Sequence, residues 1–348
     1  MELDERKQFI LRAIIEDYIQ TATPIGSRTI AKREDVTFSS ATIRNEMSDL
    51  EDMGYLLQPH ASAGRVPSAK AYRLYVDHLI NEGGMSYAEV DGFRQFVARK
   101  LEGAEDIVSQ TASILAEITQ YPSLVLAPAW DKMTLKRIQL VPVSENHALA
   151  VVVSEMGTVH DKLIRVPSEF SIEQLEAFSK VISDRLEHQT LPEAIRTLAK
   201  EFQNEISQQR YFFEEVANAL GQHFGPEHPF SNIAISGANK ILIHPEFNDI
   251  EKAQKMLSIF ETKESLVKVF TAPMNMEFNI RIGPENEMEE MKDSSLVAST
   301  YRIGDSSQGM FGIIGPTRMD YAKVLSAMSA LSRCIEEIFG ANPDKERH

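Results

Sequence analysis

The stretch SSATIRNEMSDLEDMG, Ser39 to Gly54, decides the reading of this chain. On a 3.6-residue period Ile43, Met47 and Leu50 stack on one side, which marks the buried face of an amphipathic helix. The opposite side carries Ala41, Asn45 and Ser48, with Thr42 and Arg44 flanking. Small and hydrogen-bonding side chains near a helix N-terminus are what a helix needs to enter a DNA major groove. Arg44 and Asn45 are the strongest base-edge candidates, because Arg pairs bidentately with guanine and Asn with adenine. Thr42 and Ser48 suit bases or phosphates. Ser39, Ser40 and the free N–H groups of the first turn suit a phosphate. An ordinary solvated face has a similar composition, so the flanking sequence has to arbitrate.

Working outward, Asp4 is placed to cap a first helix with Ile10, Ile14 and Tyr18 inward, ending before Thr23-Pro24. Ser27 is read as the cap of a short second helix from Arg28 to Arg33, and Ser39 as the cap of the third. Gly54 fits the left-handed stop of that third helix. Tyr55 to Gln58 reads as a strand returning through Arg65-Val66, with the tip His60-Ala61-Ser62-Ala63-Gly64-Arg65 between them. A tip without an acid suits a wing: His60 and Ser62 would lie along the DNA backbone while Arg65 reaches the minor groove. Pro67-Ser68 opens a further helix whose Lys70 and Arg73, spaced i and i+3, are placed as phosphate anchors. These features together predict a DNA-binding winged helix.

The net charge of −15 runs against that reading, since phosphate attraction dominates DNA affinity. Its distribution answers the objection. Residues 1–80 hold 10 Lys/Arg against 12 Asp/Glu, and the remaining chain 26 against 39. Thr21 to Arg33 contains Arg28, Lys32 and Arg33 with no acid, and His60 to Val76 contains Arg65, Lys70 and Arg73 with none. Local basic spots on an acidic protein predict modest non-specific affinity.

At 348 residues the chain fits two or three domains. Asn81-Glu82-Gly83-Gly84 reads as the first linker. Helical periodicity resumes from about Tyr87 to Thr119, then turns strand-like over Ile138 to Val143, His147 to Val153 and Val159 to Val166. Two capping-box patterns, Ser171-x-x-Gln174 and Thr190-x-x-Glu193, open helices with apolar spacing at Leu175, Phe178 and Ile182, then Ile195, Leu198 and Phe202. This helical block, running to about Gly225, interrupts the strands and reads as an insertion. Strands return at Ile233 to Ile235, at Phe278, Ile280 and Ile282, near Leu296 to Tyr301 and at Met310 to Ile314. A helix from Asp320 to Phe339 closes the chain.

One cysteine, Cys334, excludes a disulfide framework and a cysteine zinc site. The N-terminus MELDERKQ lacks a signal-peptide core, and no run approaches a membrane span. A cytoplasmic protein without a membrane partner is expected. No Walker loop, HExxH, nucleophile elbow or dinucleotide fingerprint is present, so no enzyme, cofactor or catalytic residue is predicted. Gly309, Gly312 and Gly315 read as turn and strand-packing glycines. His223 and His228 around Glu227, with His244 further on, match no strong metal-ligand pattern, so no metal is predicted.

SSATIRNEMSDLEDMGYL (Ser39 to Leu56), PHASAGRVPS (Pro59 to Ser68), AYRLYVDHL (Ala71 to Leu79), SGANKILIHPEF (Ser236 to Phe247) and GPTRMDYAKV (Gly315 to Val324) closely resemble the HrcA family of bacterial heat-inducible transcription repressors. The resemblance spans nearly the whole chain. It implies a multidomain α+β protein: a winged helix-turn-helix at 1–82, a helical connection at 83–104, a GAF-like mixed α/β domain at 105–167 and 231–342, and an inserted dimerising domain at 168–230. It further implies a homodimer on an inverted-repeat operator of the CIRCE type upstream of chaperone operons, kept active by the GroE chaperonin and relieved by heat. The alternative is a winged-helix regulator controlled by a small-molecule ligand in the GAF-like domain.

Overall fold

A computed structural model describes residues 3–60, 63–81, 90–101, 107–127, 134–155, 159–166, 171–201, 216, 233–262, 265–266, 277–303 and 307–340. The fold is mixed α/β, and the three sheets among the described residues are antiparallel.

The N-terminal unit holds α1 (Glu5–Thr21), α2 (Ser27–Ile30), α3 (Ser40–Asp52), the two-residue strands β1 (Leu56–Leu57) and β2 (Val66–Pro67), and α4 (Ala69–Asn81). Local chemistry sets nearly every boundary. Asp4 caps α1 by accepting from the Lys7 N–H at 2.8 Å, and Ser39 caps α3 by accepting from Thr42 at 3.1 Å. Gly54, at φ 78°, closes α3 with N–H bonds from Gly54 to Glu51 and from Tyr55 to Leu50, both 2.9 Å. The start of α2 differs from expectation. Gly26 is its cap, and the Ser27 hydroxyl is buried at 3.2 Å from that of Ser40, joining α2 to α3. Ile10, Ile14, Ile30, Ile43, Leu50 and Leu56, none of them exposed, fill the centre of this unit.

Two further helices, α5 (Val90–Leu101) and α6 (Ile107–Thr119), lead into a five-stranded sheet ordered β7-β3-β10-β9-β8. Its strands are β3 (Ser123–Leu126), β7 (Ile233–Ser236), β8 (Phe278–Ile282), β9 (Ser294–Ile303) and β10 (Ser307–Pro316). Helices cover both faces. Val125, Val297, Phe311 and Ile313 meet α6 and the closing helix α10 (Tyr321–Gly340), while Leu124, Leu126, Leu296 and Ile314 meet α9 (Ile250–Glu261). Gly309 and Gly315 are packing glycines as expected: a Cβ on either would collide with Tyr301 or with Tyr121 and Met319.

Between β3 and its neighbour β7 the chain builds a separate unit. Among the described residues β4 (Leu135–Ser144), β5 (His147–Ser154) and β6 (Val159–Arg165) form a sheet with one another, and α7 (Ile172–Leu186) packs on β4 beside α8 (Leu191–Glu201). The strands predicted between 138 and 166 thus form a sheet of their own beside α7. Alternation predicts strands without saying which sheet they join. Both predicted helix starts are present: Ser171 and Gln174 form a complete capping box, and Glu193 accepts from the Thr190 N–H and hydroxyl. The outer edge of β4 is closed by α7, whose Ser179 and Ser183 hydroxyls accept from the Leu140 and Ile138 N–H groups at 2.8 and 3.3 Å. Phe202 and most of the block up to Gly225 lie outside the described residues.

Candidate nucleic-acid interface

The helix α3 presents the two faces that its sequence dictates. Ile43, Met47 and Leu50 are buried, whereas Ala41, Arg44, Asn45 and Ser48 are exposed. Thr42 is half-buried, its hydroxyl 2.9 Å from that of Ser39. Arg44 makes no ion pair with any described residue, and neither does Arg28, exposed on α2. Ser40 turns its hydroxyl inward to Ser27, which leaves Ser39 as the exposed serine of the first turn. The exposed strip Arg44-Asn45-Ser48 thus projects from a helix whose other side is locked into the core.

The lock includes a charge that periodicity did not reveal. Glu46 is 8% exposed although it lies next to Asn45. It accepts from Arg6 at 3.3 Å and from Lys7 at 2.7 Å, while Lys7 also meets Asp49 at 3.0 Å. These bonds hold the Lys7 ammonium well above the usual lysine range, the hydrogen bond to Glu46 contributing most. Two charged residues at the start of α1, Arg6 and Lys7, thereby fix the angle at which α3 stands. The signal in sequence was faint: Arg6-Lys7 next to a capping Asp, and a Glu in register with Ile43 and Met47 rather than with Asn45.

The hairpin is stitched to the segment preceding α2. Ile25 and Arg65 exchange both main-chain bonds at 2.8 Å. Gly64 lies so close to Ile25 that a Cβ would run into its main-chain atoms. His60 is exposed; Ser62 lies outside the described residues. Arg65 does not stand free at the tip, because its guanidinium folds back on Glu51 at the end of α3, at 2.7 Å. Lys70 donates to the Met53 carbonyl at 2.9 Å and sits 4.2 Å from the centre of the Tyr55 ring, so it also closes α3.

Arg73 departs furthest from expectation. Its Nε donates to Glu285 at 3.0 Å and its Nη2 to the Ile280 carbonyl at 2.6 Å. Ile280 belongs to β8 and Glu285 to the turn after it, so this arginine ties α4 to the five-stranded sheet. A second tie runs from Arg318, 8% exposed and paired with Glu246, to the Ile19 carbonyl in the last turn of α1 at 2.8 Å. Tyr72 packs against Tyr321 between them. Nothing in the sequence linked these residues, which are separated by hundreds of positions.

Among the described residues no group of three or more His, Cys, Asp or Glu side chains is placed to hold a metal, and no helix is long and apolar enough to cross a membrane. Glu227, His223 and His228 lie outside the described residues. His244 stacks on Tyr121 with ring centres 5.0 Å apart, and burial beside Arg318 lowers its pKa. Cys334 is buried in α10.

Residues 105–325 match the family model described as the HrcA protein C-terminal domain. The chain is 38% identical over 343 residues to the heat-inducible transcription repressor HrcA of Brevibacillus brevis, covering 99% of this chain and all of that one. It is 39% identical to the protein of the same name from Alkaliphilus metalliredigens, covering 97% of this chain and 98% of that one. A solved crystal structure of a protein described as hypothetical superposes with a TM-score of 0.65 at 21% identity, over 97% of this chain and 99% of that one, which indicates a shared fold. The chain belongs to the HrcA family of heat-inducible transcription repressors, a family of regulators and not of enzymes.

Proposed function

We propose that this chain represses heat-shock chaperone genes by binding, as a homodimer, an inverted-repeat operator of the CIRCE type. The observation that carries this reading is the exposed strip Arg44-Asn45-Ser48, which makes no ion pair among the described residues, on a helix clamped from behind. In this reading the N-terminal unit is a winged helix-turn-helix: α3 enters the major groove, and β1, β2 and the tip between them form the wing. Thr42, Arg44, Asn45 and Ser48 read base edges. Arg28, Ser39, Ser40, His60, Ser62, Arg65, Lys70 and Arg73 lie along the backbone; those that are paired here exchange their protein partners for phosphates.

The five-stranded sheet with its helices is the GAF-like domain, and the unit inserted between β3 and β7 is the dimerising one. Two recognition helices on one inverted repeat multiply the few base pairs that each can read. The sheet face turned away from α7 supports a partner copy, because Val141, Val159 and Leu163 are 39%, 59% and 52% exposed on it. A chaperonin fits as the folding partner of a chain with one unit inserted in another, since such chains fold slowly and expose apolar surface on the way. This places the protein in the cytoplasm, at the nucleoid.

Fluorescence anisotropy on a labelled inverted repeat and a scrambled duplex, over a salt series with and without chaperonin, tests the reading. Sequence-dependent binding enhanced by chaperonin is expected. Equal, weak binding to both duplexes refutes it.

A further inference from the structure

Arg73 stands three residues from Lys70 on α4, where an i, i+3 pair of cations shares one helix face. In this structure its guanidinium is committed elsewhere, gripped by both carboxylate oxygens of Glu285 and by the Ile280 carbonyl. A guanidinium fork accepts a carboxylate or a phosphate in the same two-pronged manner. We propose that the Arg73–Glu285 pair is an autoinhibitory contact, in which the Glu285 carboxylate occupies the place of a DNA phosphate. The inference rests on the DNA-binding reading given above.

The joint is built to part. The Arg73 and Glu285 side chains are 30% and 39% exposed, so water screens their attraction and a polyanion competes for the cation. Tyr72, at the centre of the joint, is 1% exposed and its hydroxyl has no partner among the described residues. Separation returns that hydroxyl to water. Arg318 keeps its carboxylate partner, Glu246, whether or not the N-terminal unit is docked, and gives up only the Ile19 carbonyl. Parting therefore strands no buried charge. Glu285 in turn keeps the Ile282 N–H, which it accepts at 2.9 Å. The docked form thus carries one phosphate-binding cation fewer than the released form, and DNA itself favours release.

Glu285→Gln in the full chain tests this, because the amide oxygen still accepts from Ile282 while the charge is gone. Anisotropy titrations over a salt series should show tighter binding to any duplex at an unchanged slope of log K against log salt, because DNA frees Arg73 in both proteins, whereas Arg73→Gln alone should flatten that slope by about 0.9. The same substitution in an Arg73→Gln background should change nothing. Hydrogen exchange along Phe278–Ile282 should speed up when duplex is added to the unsubstituted protein. If Glu285→Gln binds like the unsubstituted chain while Arg73→Gln weakens binding, the autoinhibitory contact is refuted and the DNA reading stands. If Arg73→Gln has no effect even with Glu285→Gln, Arg73 is not a phosphate contact and the inference fails at that residue. Failure of every form to bind duplex refutes both readings.

Discussion

The ammonium of Lys7 lies 2.7 Å from the carboxylate of Glu46, a buried acid on the helix whose other side is the candidate DNA-reading face. That bond sets the stance of α3 from behind. Lys7→Met should lower the melting temperature, because it leaves Glu46 with only Arg6 for a partner. Removing one member of such a pair is worse than replacing both by apolar residues of similar volume. The double substitution Lys7→Met, Glu46→Met is therefore expected to melt higher than Lys7→Met alone; additive losses would show that the pair is not coupled.

Arg44 faces solvent with no ion pair among the described residues, so its removal should cost the fold little. Arg44→Ala is expected to lose about 1–3 kcal/mol at the operator and to relax specificity at one base position. Equal weakening on operator and scrambled duplex would assign Arg44 to the backbone.

Arg28 is exposed on α2, in a stretch that contains no acid. Arg28→Ala should weaken every duplex alike and reduce the salt slope by about 1. A loss confined to the operator would contradict a phosphate role.

Gly64→Ala probes the seam between hairpin and helices. The added methyl meets the main chain of Ile25, so the Ile25–Arg65 bridge must shift. A loss of about 1–3 kcal/mol in chemical denaturation is expected, as for other overpacked sites. An unchanged midpoint would show that the hairpin is not held by this bridge.

His244 makes stability depend on pH. Burial first, and then the nearby Arg318, lower its pKa from the ordinary 6.5, against a smaller opposing pull from Glu246 and a hydrogen bond to the Gln120 main chain. The folded protein therefore resists a proton that the unfolded chain accepts. Its contribution is complete above 6.5 and is lost as the pH falls below that value. Denaturant midpoints should decline across this interval in the natural protein and decline less in His244→Phe, which keeps the stack on Tyr121. Parallel curves would exclude His244 as the cause.

Much of this was legible in sequence because it is local. The caps at Asp4, Ser39, Ser171 and Thr190, the glycine stop at Gly54 and the stripe of α3 depend on residues within a turn or two of one another. β3 was missed because Ser123-Leu-Val-Leu126 is buried on both faces and shows no alternation, whereas α9 was legible and overlooked: Ala253, Met256, Leu257 and Phe260 recur at helical spacing behind the Asp249 cap. The exposed candidates of α3 were found for the same local reason. The partners of Arg65, Lys70 and Arg73 were not, because a cation in sequence does not show which distant carboxylate or carbonyl folding brings to it.

The strand β3 lies between β7 and β10 in the sheet, yet it is synthesised before either of them. An entire second unit must emerge from the ribosome before the first of these neighbours arrives. Throughout that interval Leu124, Val125 and Leu126, which are almost wholly buried at the end, have no sheet to enter. The order of the chain thus builds in a delay between the synthesis of β3 and the completion of the sheet that receives it.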